Sequence, residues 1–166
     1  MTVPLTRRPG EGASEEGRSA LSRSLKVVLR LGFAVIGVLD LPRAVAFWTA
    51  ALGLVASDEW QSDEWRTLCY ADGSGRALGL QRSESPVEAY PRVHLDLFVD
   101  TTAEQEAQVE RLIRLGARRL AWDLYPPDPD FVVLADPDGN AFCVVDLSRA
   151  PSGSHLQVRN PPSEVT

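Results

Sequence analysis

The sequence predicts an α+β fold in which a strand–helix–three-strand unit occurs twice. The main observation is internal repetition: strand-like and helix-like segments follow in the same order in both halves, and 61 positions separate Phe33 from His94. A second observation is the set of short apolar runs after each helix, bounded by Gly, Pro and Asp. Thirdly, no GxGxxG or P-loop motif follows a strand, which disfavours a doubly wound parallel sheet.

The first unit opens with "LGFAVIGVLDLPRAVAFWTAALGL". A strand is expected from about Leu31 to Val38, and Asp40 is placed to cap a helix that has Pro42 in its first turn. Gly53 marks the end of this helix. The residues at helical spacing that predict its buried face are Val45, Trp48 and Leu52. Three strands should follow, in "GLVASDEW", "WRTLCYA" and "RALGLQR".

The second unit opens with "RVHLDLFVDTTAEQEAQVERLIRLGA". Thr101 and Glu104 have the spacing of a capping box, and Gly116 marks the end of the helix. The predicted buried stripe of this helix comprises Val109, Leu112, Ile113 and Leu115. The expected strands after it lie in "RRLAWD", "DFVVLAD" and "AFCVVD".

The amino-acid composition limits the classes of protein to which this chain can belong. The 166 residues are 44% hydrophobic and 24% charged, as in ordinary soluble globular proteins. A formal net charge of -6 leaves no basic face for phosphate contacts, so nucleic acid is not an expected partner. Cys69 and Cys143 lie in separate apolar runs, which favours two buried free thiols in a reducing compartment over a disulfide.

The two ends differ in composition from the middle of the chain. Residues 1–24 and 150–166 are rich in small and polar residues, which predicts a flexible head and a flexible tail around a single domain at 25–149. Within that domain, module one is expected at about 29–84 and module two at about 91–147. Arg30 interrupts the longest apolar run, so we expect no membrane association and a cytoplasmic protein.

Four stretches together resemble the vicinal oxygen chelate superfamily, and more narrowly its glyoxalase-like and bleomycin-resistance-like branch. They are "LDLPRAVAFWTAALGL", "VHLDLFVD", "RLIRLGARRLAWD" and "FVVLADPDGNAFCVVD". The resemblance implies two βαβββ modules that pair into a curved, cup-shaped mixed sheet with the helices outside. It also implies a small-molecule ligand in the cup and a homodimer. Reactions in the superfamily differ widely, so the fold alone selects none of them.

The resemblance also implies four inward-facing positions that hold a divalent metal in many relatives, where the metal polarises a substrate oxygen. On this chain they fall at Phe33, Gly79, His94 and Cys143, with Gln81 two residues beyond Gly79 on the same strand face. Only His94 is a good ligand, and a catalytic metal usually has about three protein ligands. We therefore expect no metal cofactor. Cys143 is interpreted as a filler in place of a carboxylate, although a thiolate next to His94 would suit a soft metal.

Strand alternation places His94, Asp96 and Phe98 on the face that lines the cup. His94 is the candidate acid or base and Asp96 its orienting partner; both are predicted catalytic residues, although such a pair can also serve only to anchor a ligand. The predicted ligand-binding residues are Phe33, Gln81, Phe98, Trp122 and Cys143. The proline-rich segment "WDLYPPDPDF" is expected to form a flap beside Trp122.

These observations lead to an ordered set of hypotheses. The first is a glyoxalase-like enzyme of the isomerase or lyase type that transfers a proton without a metal. The alternative is a non-catalytic protein that sequesters an aromatic or antibiotic-like ligand in an aromatic-lined cup. A purely structural or regulatory dimer module is the third possibility.

Overall fold

The computed structural model describes residues 29–149, and the fold lies within the unit of the chain that begins at Gly32. The expected head (1–24) and tail (150–166) lie outside the described residues. The elements of the first module are β1 Ala34–Val38, α1 Leu41–Leu52, β2 Leu54–Ala56, β3 Trp65–Tyr70 and β4 Arg76–Arg82. Those of the second are β5 Leu95–Val99, α2 Thr102–Arg114, β6 Arg118–Arg119, β7 Phe131–Ala135 and β8 Ala141–Asp146, followed by a 3-10 helix at Leu147–Arg149.

The two modules have the same topology. Each sheet has four strands, in the orders β1-β4-β3-β2 and β5-β8-β7-β6. The first and last strands of each module pair in parallel, and the remaining pairs are antiparallel. The helix of each module packs on its own sheet. The predicted α+β fold with two βαβββ modules is confirmed.

Helix α1 begins and ends as the sequence predicts, but its buried face is different. The Asp40 side chain accepts a hydrogen bond from the backbone N–H of Arg43 at 3.0 Å, and Gly53 ends the helix with φ 66°. The prediction of Leu52 as a buried residue is wrong, because that side chain is exposed and Val45 is only partly buried. The residues that are fully buried on α1 are Leu41, Ala44, Phe47, Trp48 and Ala51.

Helix α2 confirms the capping prediction and holds α1 in place. The N–H of Glu104 donates to Oγ1 of Thr101 at 3.2 Å. At the other end, Arg111 donates to the carbonyl oxygens of Ala50 and Ala51 at 2.9 and 2.6 Å, where α1 has unpaired carbonyl groups. Of the predicted stripe, Val109 and Leu112 are buried, Ile113 is partly buried and Leu115 is exposed.

One hydrophobic core connects the modules. The Trp48 and Phe142 rings meet edge to face with centroids 5.3 Å apart, and Trp48 Nε1 donates to the buried Asp136 carboxylate at 3.3 Å. The "DPDGN" turn before β8 then contacts the first module directly. Asp138 accepts from the N–H of Leu39 at 3.0 Å, and Asn140 Nδ2 donates to the carbonyl oxygen of Gly37, also at 3.0 Å. The turn therefore positions the first module against the second.

The cysteines, the shortest strands and the helix lengths complete the description of the fold. Both cysteines are free, as the sequence predicts; Cys143 is buried as expected, whereas Cys69 is only half-buried. Strands β2 and β6, each at one edge of its sheet, are shorter than predicted. Neither helix between residues 29 and 149 has the length and hydropathy needed to cross a membrane.

Candidate functional site

The candidate site lies on the open face of the second sheet. The face of β5 that packs on the core comprises Leu95, Leu97 and Val99. Asp96 and Phe98 lie on the opposite, exposed face, so the predicted alternation holds. In the sheet register, Asp96 lies beside Cys143 of β8, and Cys143 lies beside Val133 of β7.

Three polar side chains converge on this face. Nε2 of His94 lies 3.3 Å from Oδ1 of Asp96, and each of these side chains is 45% exposed. The Sγ atom of Cys143 completes the group, since one donor atom from each of the three residues lies within 4.8 Å of the others. Cys143 is only 7% exposed and forms the floor of the group. Asp96 is thus the shared partner of an imidazole and a thiol.

The environment of Cys143 keeps its thiol protonated. Burial raises the pKa of Cys143 to about 12, and the negative charge of Asp96 and a hydrogen bond to Asp96 act in the same direction. A thiolate is the nucleophilic and metal-binding form of cysteine, so this thiol is a hydrogen-bond donor at neutral pH rather than a nucleophile. The Asp96 carboxylate thus lies beside both the His94 imidazole and the Cys143 thiol.

Two cavities adjoin these residues. The first has a volume of about 120 Å³ and is lined by His94, Cys143, Pro91, Trp122, Phe131, Val133, Ala141 and Phe142. The second, of about 200 Å³, extends to β1 of the first module and shares four lining residues with the first: Pro91, His94, Ala141 and Phe142. The walls of the first cavity are mostly apolar and aromatic, and His94 and Cys143 are its two polar side chains. Such a lining suits a small, partly apolar ligand with one polar group.

The matching region of the first module is closed by aromatic rings. A Cβ atom placed on Gly79 would lie 2.8 Å from Cη2 of Trp65 and 2.9 Å from Cε2 of Phe33. Trp65 is held there by a 3.0 Å hydrogen bond from its Nε1 to Oγ1 of Thr67. Phe33, one of the predicted ligand-binding residues, therefore fills the first half of the cup together with Trp65.

The other predicted site residues divide into two groups. Trp122 and Cys143 line the cavity beside His94. Gln81 is exposed on β4, in register with Gly37 and Trp65, and Phe98 is 62% exposed and borders a different cavity under α2. The structure thus brings neither Gln81 nor Phe98 to the cavity that His94 lines.

Sequence reasoning missed five lining residues: Pro91, Phe131, Val133, Ala141 and Phe142. Alternation along "DFVVLAD" carries the signal for Phe131 and Val133, because they lie on one face of β7, and Val133 is in register with Cys143. Pro91 precedes the strand, and no periodic pattern marks it.

The residues do not fit the two-module metal site that the resemblance implies. Phe33 and Gly79 have no donor atoms, and the space above Gly79 is occupied by the two rings described above. The group of three potential ligands found among residues 29–149 comes wholly from the second module. A chelate that joins both modules therefore finds no ligand at Phe33 or Gly79, the two matching positions of the first module.

Paired βαβββ modules with an open concave face define a protein of the vicinal oxygen chelate fold. The model of the glyoxalase-like domain family matches residues 33–145, well over half of the chain, and the chain belongs to that family. A search of curated proteins finds no match.

Solved structures agree on the fold. A glyoxalase/bleomycin resistance protein/dioxygenase family enzyme from Burkholderia phytofirmans PsJN is similar, with 21% identity and a TM-score of 0.57 over 71% of this chain and 98% of that one. A second similar structure is that of a mutant of the fosfomycin resistance protein FosX from Listeria monocytogenes, complexed with Mn(II) and 1S,2S-dihydroxypropylphosphonic acid. It has 16% identity and a TM-score of 0.54, over 70% of this chain and 88% of that chain. At these identities the likeness concerns the fold alone.

Proposed function

We propose that the protein is a glyoxalase-like enzyme that transfers a proton within a small carbonyl or hydroxycarbonyl compound, without a metal. The observation that supports this most is the position of His94, which contacts Asp96 at 3.3 Å and also lines the apolar cavity. A histidine oriented by a carboxylate at the edge of a ligand-sized cavity is the usual arrangement of a general base.

The proposal gives the two nitrogens of the His94 ring different roles. Nε2, 3.3 Å from the Asp96 carboxylate, would carry the hydrogen, and Nδ1 would keep the lone pair. Nδ1 would take a proton from the carbon next to the substrate carbonyl, and the C–H electron pair would form an enolate. Return of that proton to a neighbouring atom completes an isomerisation, whereas loss of a leaving group from the enolate completes a lyase reaction.

Cys143 is suited to support the same step. Its neutral thiol lies beside His94 in the cavity wall, and its single S–H, which is hydrogen-bonded to Asp96 in the free protein, would turn to donate a weak hydrogen bond to an enolate oxygen of the bound substrate. Negative charge that develops on the substrate would then lie next to this donor. In this role, the absence of a carboxylate at position 143 is an advantage.

Exchange of substrate hydrogen for deuterium tests the proposal without knowledge of the final product. A panel of small ketones and hydroxyketones in D2O, followed by NMR, should show exchange at the carbon next to the carbonyl. We expect His94→Asn to lower the exchange rate by roughly a hundredfold or more, as is typical for loss of a general base. The chain has two histidines, so His155→Asn is the matched control and should exchange like the wild type. Equal exchange by both variants would reject His94 as the base.

A sequestering protein is the second candidate, and the aromatic lining of the cavity favours it. Trp122 and Phe131 offer ring faces to a flat ligand while His94 and Cys143 supply its polar contacts. In that case Trp122→Ala should lower affinity for such a ligand, and the ligand should be recovered chemically unchanged. The third possibility, a scaffold module, does not require a cavity with polar and aromatic lining residues.

A further inference from the structure

Two loops from opposite edges of the second sheet meet beside the cavity. The linker 83–94 leads into β5 at one edge, and the segment 120–130 connects β6, at the other edge, to β7. Pro91 of the linker and Trp122 of the second segment both line the cavity that contains His94 and Cys143. Each of the two loops therefore contributes one side chain to the wall of this cavity.

The contact between the loops depends on a single tyrosine. The Tyr90 ring lies against the Trp122 ring, with centroids 5.4 Å apart and planes tilted by 55°. The Tyr90 hydroxyl donates to Oδ1 of Asp123 at 2.9 Å. Tyr90 is 54% exposed, and its hydrogen bond is open to solvent. Exposed contacts of this kind are weak and open readily.

The far end of the second loop is fixed, by contrast. The N–H of Val133 donates to the Tyr125 hydroxyl at 2.8 Å, and the Tyr125 and Phe131 rings lie 5.3 Å apart. The backbone N–H of Leu120 donates to the Val133 carbonyl oxygen at 3.2 Å. Both ends of the loop are thus tied to β7, so opening is confined to the contact with Tyr90.

We propose that Tyr90, Trp122 and Asp123 form a roof over the cavity that opens to admit a ligand and selects it by size. With the roof closed, about 120 Å³ is available, which is close to the size of a cavity that accepts one benzene-sized ring. The accepted compound is therefore one whose apolar end is no larger than a single flat ring. This inference rests on the proposed function for the position of the site, and it can be tested without a substrate.

Alkylation of Cys143 reports roof opening, because its thiol lies in the cavity wall under Trp122. The rate of reaction with iodoacetamide would be followed at alkaline pH, where a small fraction of the Cys143 thiol ionises despite its raised pKa, by peptide mass spectrometry for Cys143 and Cys69 in the same sample. Tyr90→Phe removes only this exposed hydrogen bond and should raise the Cys143 rate by about two- to fivefold, the lower part of the range for one ordinary hydrogen bond. Tyr90→Ala removes the ring contact as well and should raise the rate further.

Two controls separate roof opening from unfolding. Tyr70→Phe changes another half-exposed tyrosine, on β3 of the first sheet, and should leave both rates unchanged. Cys69 lies on β3 as well, so its rate should stay constant in the Tyr90 variants. The proposal is overturned if the Cys143 rate is the same in every variant, or if both cysteines accelerate together. Neither result changes what the exchange assay on His94 would show, so the roof proposal and the proposed function can fail separately.

Discussion

Substitution of Gly79 by alanine tests whether aromatic rings close the first half of the cup. The new Cβ would lie 2.8 Å from Trp65 and 2.9 Å from Phe33, whereas carbon atoms in good contact are roughly 3.5–4.0 Å apart. The rings must move by close to 1 Å, and Trp65 is held by its hydrogen bond to Thr67. Overpacking of this kind costs about 1–3 kcal/mol of the free energy of unfolding.

Gly32→Ala is the matched control for this substitution. A Cβ at Gly32 meets no atom within 4 Å. Both substitutions remove a glycine from the unfolded chain, a change worth about 0.4–1 kcal/mol, and this contribution cancels in the comparison. Urea unfolding should therefore show Gly79→Ala about 1–3 kcal/mol less stable than Gly32→Ala, with part of the loss recovered when Trp65→Phe shortens the ring. Equal stability of the two alanine variants would refute the claim that Phe33 and Trp65 fill this space.

Three further predictions concern the thiol, the core and the assembly. Because the pKa of Cys143 is raised to about 12, the folded chain keeps the thiol proton above pH 9, whereas the unfolded chain loses it. Between pH 9 and pH 12 the free energy of unfolding should therefore fall as pH rises, by at most about 1.4 kcal/mol per pH unit. Cys143→Ser should show a shallower fall. Phe142→Ala should lower the free energy of unfolding, measured in urea, by about 3–5 kcal/mol, because Phe142 is 1% exposed and packs on Trp48. Phe98 is 62% exposed, so Phe98→Ala should stay within about 0.5 kcal/mol of the wild type. The homodimer that the resemblance implies stays a prediction: light scattering should give twice the 18.2 kDa mass of the chain, and a monomer at all concentrations would contradict it.

The repeated pattern of the sequence was sufficient to predict the fold. Short, strongly patterned segments fix their own structure: Asp40 and Thr101 cap the predicted helices, and strand alternation places Asp96 opposite the core side of β5. The buried face of α1 was predicted less well. Its orientation is decided by Phe142 and Asp136, which lie about 90 residues further along the chain, and no local pattern contains that information.

The candidate site was predicted in part for a similar reason. His94 and Cys143 could be placed near one cavity because the resemblance and the strand register concern residues on or next to strands. Trp122 lies in the loop after β6, and it was predicted because it is aromatic and adjoins a strand-like segment. The contact of Tyr90 with Trp122 joins two irregular loops, and the position of Trp65 above Gly79 depends on side-chain packing. Neither follows from hydrophobic periodicity, which describes strands and helices only.

The central claim is proton transfer by His94 without a metal, and hydrogen–deuterium exchange after chelation tests it most directly. Protein purified without a histidine tag would be treated with EDTA, dialysed and assayed for substrate exchange in D2O, before and after addition of zinc, nickel, manganese or iron. We predict that exchange persists after chelation, does not increase with any added metal, and is lost in His94→Asn. Loss of exchange after chelation, with recovery at one metal ion per chain that Cys143→Ser prevents, would contradict the account.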